Sequence, residues 1–257
     1  MEDMLYELAV CKDLQETGIL RTVVLADGTN VTLVGGNHAS KASALFAETI
    51  VFSVQPSALV LELCSERAGV LIQGNGHRQS RAKSWMNPDE PEWLRRQYAT
   101  YADETRRAFR AFMKYSKPAC RLLVFADMKA SVVEHDIENM QERRDANLAA
   151  NIYRTARLGH KKIVAVLGAN HLDGVARELE SMQGTKPEHG LYISASGCEI
   201  LRERQKKLAK KVSVKRWRQK DTLPNRDRDE LKRRLRVLCN PEKIWNSLGK
   251  HALEPGS

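Results

Sequence analysis

The sequence predicts an α/β protein, a largely parallel β-sheet with flanking helices, followed by a basic helical C-terminal appendage. Three observations carry that expectation. Short apolar runs alternate with helix-length amphipathic stretches through the first two hundred residues, the pattern of βαβ units. The strand-to-helix turn Gly-x-Asn-His occurs twice, at the ends of VTLVGGNH (31–38) and VAVLGANH (164–171). Positive charge is segregated: residues 201–236 hold 16 Lys and Arg against 5 Asp and Glu, whereas the rest of the chain holds 26 against 27. The spacing divides the chain into an α/β body over 1–200 and a basic extension over 201–257.

Taken in order, RTVVLA (21–26) and NVTLV (30–34) flank Asp27-Gly28, a hairpin turn signal. Residues 40–54 have helical periodicity with Ser40 placed to cap them. ALVLEL (58–63) is a short apolar run suited to a buried central strand. Residues 74–91 are rich in turn formers and read as an excursion or lid, and a helix follows over 92–114. RLLVF (121–125) is the next strand, and 135–158 is helical without a breaker until Gly159 ends it. KKIVAVL (161–167) is another buried strand, 172–183 the helix behind it, and 191–194 a last short strand.

Composition narrows the class. Of 257 residues, 42% are hydrophobic and 29% charged, with Gly 15 and Pro 8, which excludes collagen-like and linker-dominated chains. No run approaches about 18 apolar residues, so no transmembrane helix is expected. The first residues, Met1-Glu2-Asp3, are acidic where a leader peptide would be basic, which predicts an intracellular, cytoplasmic protein. Five scattered cysteines without a CxxC pair suit reduced thiols rather than a disulfide or zinc framework.

The net charge of +10 suggests a nucleic-acid partner, but only Trp217 interleaves the basic run, too few aromatics for a base-stacking platform. A nucleic-acid partner is therefore not expected. A solvated helical face explains the charges better, since Leu201, Leu208 and Val212, then Leu231, Leu235 and Leu238, recur at helical spacing. Peripheral contact with an anionic membrane surface is the other role open to the extension. The absence of Gly-x-x-x-x-Gly-Lys-[Ser/Thr], Gly-x-Ser-x-Gly and His-Glu-x-x-His sets aside P-loop NTPases, ordinary α/β-hydrolases and zincins.

The repeated turn is the richest feature. Gly35 and Gly168 let the chain leave its strand tightly, and His38 and His171, three residues on, emerge at the carboxyl edge of the sheet, where open α/β sheets bind ligands. Glu62 ends a strand at the same edge. Two imidazoles and a carboxylate from three strand ends suit a catalytic divalent metal with open positions. Each residue also has a plainer reading: a hydrogen-bonding histidine, a Glu62 paired with Arg67, a glycine serving geometry alone.

Val34-Gly35-Gly36-Asn37-His38-Ala39-Ser40, Val60-Leu61-Glu62-Leu63-Cys64 with Arg67, Arg144-Asp145 with Leu148-Ala149, and Val166 to Val175 together resemble the ordered motifs of TraB-domain proteins. That family is related to pheromone-shutdown proteins and, more distantly, to the Tiki metalloproteases and the erythromycin-esterase and ChaN-like proteins. The resemblance spans about residues 22–179. It implies a fold of two related halves and a metal site, with manganese- or cobalt-dependent peptidase activity in the Tiki relatives. Carried onto this chain it places His38, Glu62 and His171 at ligand positions, and Arg144 and Asp145 at the motif usually written Glu-Arg-Asp. Arg143 stands where that motif has its Glu, and the Gly-Asn and Ala-Asn preceding His38 and His171 depart from the family's usual residues. Some eukaryotic members are associated with the mitochondrial outer membrane, which makes that membrane the one a peripheral contact would address.

The expectation is thus a metal-dependent hydrolase holding manganese, cobalt or zinc through His38, Glu62 and His171, acting on a peptide or a small molecule. Glu62, Arg144 and Asp145 are the candidate catalytic groups, with Asp145 or Asp173 accepting a proton from water. Gly35, Gly168 and Arg67 shape the site around the cofactor and substrate charge. The alternative is a non-catalytic binding or regulatory protein in which the same residues tie strands together.

Overall fold

The computed structural model describes residues 19–36, 41–71, 92–133, 140–181, 186–211 and 252–253. The chain is α/β. Its strands are β1 (Leu20–Val24), β2 (Asn30–Gly36), β3 (Ala58–Leu61), β4 (Leu122–Phe125), β5 (Lys162–Gly168) and β6 (Leu191–Ile193), with a two-residue β7 (Ala252–Leu253) added at one edge. Its longer helices are α1 (Lys41–Val54), α2 (Glu92–Tyr115), α3 (Met140–Arg157), α4 (Leu172–Ser181) and α5 (Ala195–Lys211).

The strand order is β1-β2-β5-β3-β4-β6-β7. The four central strands, β2, β5, β3 and β4, run parallel. Antiparallel pairings attach β1 to β2, β6 to β4 and β7 to β6. The sheet is therefore mixed rather than largely parallel, because both flanks are closed by strands that return against their neighbours. On one flank the cause is local: Gly28, at φ 78, turns the chain between β1 and β2.

Strands buried on both faces explain the apolar runs. Val34, Leu59, Leu61, Phe125, Val164 and Val166 face α1, α2 and α5, packing on Ile50, Phe109, Phe112 and Leu201. Leu33, Val60, Val124, Ala165 and Leu167 face the other way onto Leu148, Ile152, Val175 and Leu179 of α3 and α4. The result is a helix–sheet–helix sandwich, since each face can leave water only under its own helices.

The expected helices form with small shifts in boundary, and Gly159, at φ 95, closes α3, its N–H donating to the Ala156 carbonyl at 2.9 Å. Helix α5 runs through residue 200 and buries Leu201 in the core. Most of the basic extension and the excursion at 74–91 lie outside the described residues, as does His38. Cys64, Cys120 and Cys198 are free thiols. No helix among the described residues is long and apolar enough to cross a membrane.

Candidate active site

Parallel pairing of β2, β5, β3 and β4 sends their carboxyl ends to one edge. Glu62 follows β3, Asp127 lies two residues beyond β4, and His171 closes the single turn after β5. Arg144 and Asp145 reach the same edge from the first turns of α3. Four elements far apart in sequence thus meet at one place, and all five side chains are held there by each other.

The Asp127 carboxylate, fully shielded from solvent, is the hub. Its Oδ1 accepts from Arg144 Nε at 3.0 Å and from the Met128 N–H at 2.8 Å. Its Oδ2 accepts from Arg144 Nη2 at 3.0 Å and from Arg67 Nη2. Arg144 Nη2 also donates to Glu62 Oε1 at 2.6 Å, bridging the two acids. Glu62 Oε2 accepts the Gly168 N–H at 2.5 Å. Arg67 thus donates to Asp127, and Arg144 donates to both Asp127 and Glu62. Burial opposes the Arg144 charge, yet Asp127 and Glu62 outweigh it and hold its pKa above the ordinary guanidinium value.

His171 is fully buried. Its Nδ1 lies 2.5 Å from Asp145 Oδ1 and 2.8 Å from Gln141 Nε2, and with Asp145 ionised the proton of the shorter contact is on Nδ1. Gln141 Nε2 supports the same carboxylate at 3.2 Å. The far nitrogen, Nε2, makes no hydrogen bond and sits 3.4 Å from Glu62 Oε1. Burial alone would lower the His171 pKa. Asp145 and Glu62 overcome it and raise the value to about 9, against a smaller opposing effect of Arg144.

The two glycines of the repeated turn act differently. Gly168 offers its N–H to Glu62, and Gly35 lets the Leu172 side chain lie against the strand backbone. Gly174 in α4 packs on Asp145 so closely that a Cβ would overlap the carboxylate. Alanine normally stabilises a helix interior by up to about 1 kcal/mol over glycine. Here Gly174→Ala is expected to destabilise by about 1–2 kcal/mol, because it displaces a buried carboxylate from His171. Thermal unfolding of that variant measures the effect, and an unchanged or raised midpoint contradicts it.

Asp173 stands apart from the site, exposed and paired with Arg21 at 2.7 Å, which leaves Asp145 as the acid beside His171. Arg143, at the position of the expected Glu, clasps Glu188 with Nη2 at 2.7 Å and Nε at 3.0 Å. Asp127 and Gln141 escaped the sequence reading. Asp127 carried a signal like that of Glu62, an acid just past an apolar strand (LLVFAD), whereas Gln141 carried none. A second buried carboxylate, Glu104 of α2, lies against Gly36 at the end of β2 and accepts from Ser43 Oγ at 2.6 Å.

As a metal centre the described residues supply one nitrogen and one oxygen. Ligands of one tetrahedral ion with bonds of about 2.0–2.1 Å stand about 3.3 Å apart, close to the separation of Nε2 and Oε1. The Asp145–His171 bond is the carboxylate–histidine support that metal-binding imidazoles use. The donor pair therefore fits a divalent ion, although no group of three or more His, Cys, Asp or Glu converges among the described residues. Family models, curated proteins and solved structures yield no match to this chain.

Proposed function

We propose that this chain is a divalent-metal-dependent hydrolase of the TraB type, in which His38, Glu62 and His171 hold manganese, cobalt or zinc. The supporting observation is the state of His171: Nδ1 is tied to Asp145 while Nε2 is buried, without a hydrogen bond, beside Glu62. A buried nitrogen left unbonded costs about 1–3 kcal/mol, a cost that binding a cation there removes. Such an ion supplies Lewis acidity and lowers the pKa of bound water towards neutrality.

The chain's own residues then have definite tasks. Asp145 fixes the imidazole tautomer and orientation. Arg144 orients Glu62 and, with Arg67, offsets acidic charge at the edge. The reading extends to a peptide or small-molecule substrate, two related halves around the repeated turn, and a cytoplasmic protein whose basic extension touches an anionic membrane surface.

A second reading is favoured by the balance of charge. Three acids, Glu62, Asp127 and Asp145, face two guanidinium groups and an imidazole, so with His171 protonated the cluster is neutral without any metal. It would then tie β3, β4, β5 and α3 together in a binding or regulatory protein.

Thermal unfolding after chelation separates the two. At a hundredfold excess over Kd a ligand specific to the native state stabilises by about 2.7 kcal/mol. Manganese, cobalt or zinc should raise the midpoint of the wild type by several degrees and leave His171→Gln unmoved. Equal responses of the two proteins would overturn the hydrolase reading, and a positive result sends the protein to peptide-hydrolysis assays.

A further inference from the structure

Beside the ionic cluster, between the ends of β3 and β4 and the entry to β6, lies a cavity of about 50 Å³. Cys64, Asp127, Lys129, Glu188, His189 and Gly190 line it. Both acids in its wall are already neutralised, Asp127 by Arg67 and Arg144, and Glu188 by the two-pronged grip of Arg143. Arg143 holds the Glu188 carboxyl below its usual range. Among the described residues the Lys129 ammonium has no hydrogen bond or ion pair, and the His189 ring, which has no hydrogen bond, acts on the neighbouring Glu188 carboxylate. The uncompensated charge on the wall is therefore that of Lys129, and the His189 ring adds a polar group beside it.

That wall is built in advance. The His189 N–H donates to Asn147 Oδ1 at 2.9 Å, and Asn151 Nδ2 donates to the His189 carbonyl at 2.6 Å. Gly190 presses on the Asn151 amide so closely that a Cβ could not fit, and Tyr192 holds that amide from the other side at 2.7 Å. A site held rigid before binding spares the ligand the cost of ordering it.

We propose that this cavity is a carboxylate-binding subsite, in which Lys129 and His189 receive an acidic group of the substrate. A water-sized group occupies about 10–15 Å³, so the cavity has room for about three to five non-hydrogen atoms, enough for a carboxylate and the carbon that bears it. Asp127 forms part of both the cavity wall and the ionic network that reaches Glu62. As a statement about substrate class the inference rests on the hydrolase reading: it selects peptides or small molecules carrying a carboxylate near the bond to be cut. As a statement about binding it does not need the metal.

The test is titration of the metal-free full chain with acetate, and separately with inorganic phosphate, followed by amide NMR shifts. Acetate should move the signals of Lys129, His189 and Gly190. Lys129→Met should weaken binding at least tenfold and Lys129→Arg should restore most of it, which a merely structural lysine would not show. Absence of acetate shifts at those amides, binding by Lys129→Met within twofold of wild type, or preference for phosphate overturns the proposal. Metal-dependent stabilisation measured on the same sample keeps the two readings distinct, because acetate binding without a metal response retains the subsite and removes the hydrolase.

Discussion

Replacing Asp127 by asparagine is expected to cost about 3–5 kcal/mol of folding free energy, the largest effect of any single substitution at the site. The carboxylate is fully buried and neutralises Arg67 and Arg144, which are themselves largely shielded. Asparagine keeps the shape, and its carbonyl can still accept one bond, but Arg67 and Arg144 both lose the charge of Asp127, and Arg144 is left with Glu62. Removing one partner of a buried ion pair is costly because the other stays behind, desolvated and unpaired. The sign of a second substitution isolates that cause. Arg67→Met in the Asp127→Asn background removes one of the two charges that Asp127 offset and should recover part of the loss, so the double variant is more stable than the sum of the singles. Urea unfolding measures all three proteins. A loss below about 1 kcal/mol for Asp127→Asn would show that the cluster contributes little to the fold.

The second large effect is on pH dependence. In the unfolded chain His171 titrates near 6.5, and in the folded metal-free protein near 9. The folded state binds the proton more tightly, so the contribution is fully present below about pH 6.5 and is lost as pH rises through 9. The shift corresponds to on the order of 3 kcal/mol. Denaturant midpoints in chelator should therefore fall between pH 6.5 and 9 for the wild type and stay nearly level for His171→Gln. Parallel slopes would remove the imidazolium from the account. The same proton competes with a cation at Nε2, so below pH 9 apparent metal affinity should drop about tenfold per unit.

Much of the architecture was legible because it depends on local pattern. Apolar runs of four to seven residues announced the central strands, helical periodicity announced α1 through α4, and Asp27-Gly28 and Gly159 marked ends that need positive φ. The mixed character of the sheet was less visible, because nothing in LYI states against which neighbour, or in which direction, β6 will pair. Among the site residues, Glu62 and His171 were legible from their places after strands, Arg144 and Asp145 only from the resemblance to TraB-domain motifs, and the structure brings those four together. Asp127 was not, although its position just past an apolar strand repeats the signal of Glu62. Gln141 was not either, since its role is to support an acid one turn along its own helix.

The sequence by itself determined which segments are buried, which residues turn the chain, and which titratable groups stand at strand ends. Those properties follow from side-chain type and period over a few residues. Only the tertiary structure decided the partners. Strand β5, distant in sequence, inserts between β2 and β3 and so carries His171 to within 3.4 Å of Glu62, while Arg144 reaches Glu62 across 82 residues of chain. Strand order and register are set by the packing of the whole sheet against its helices, and the pairing of buried charges is settled only when that packing closes.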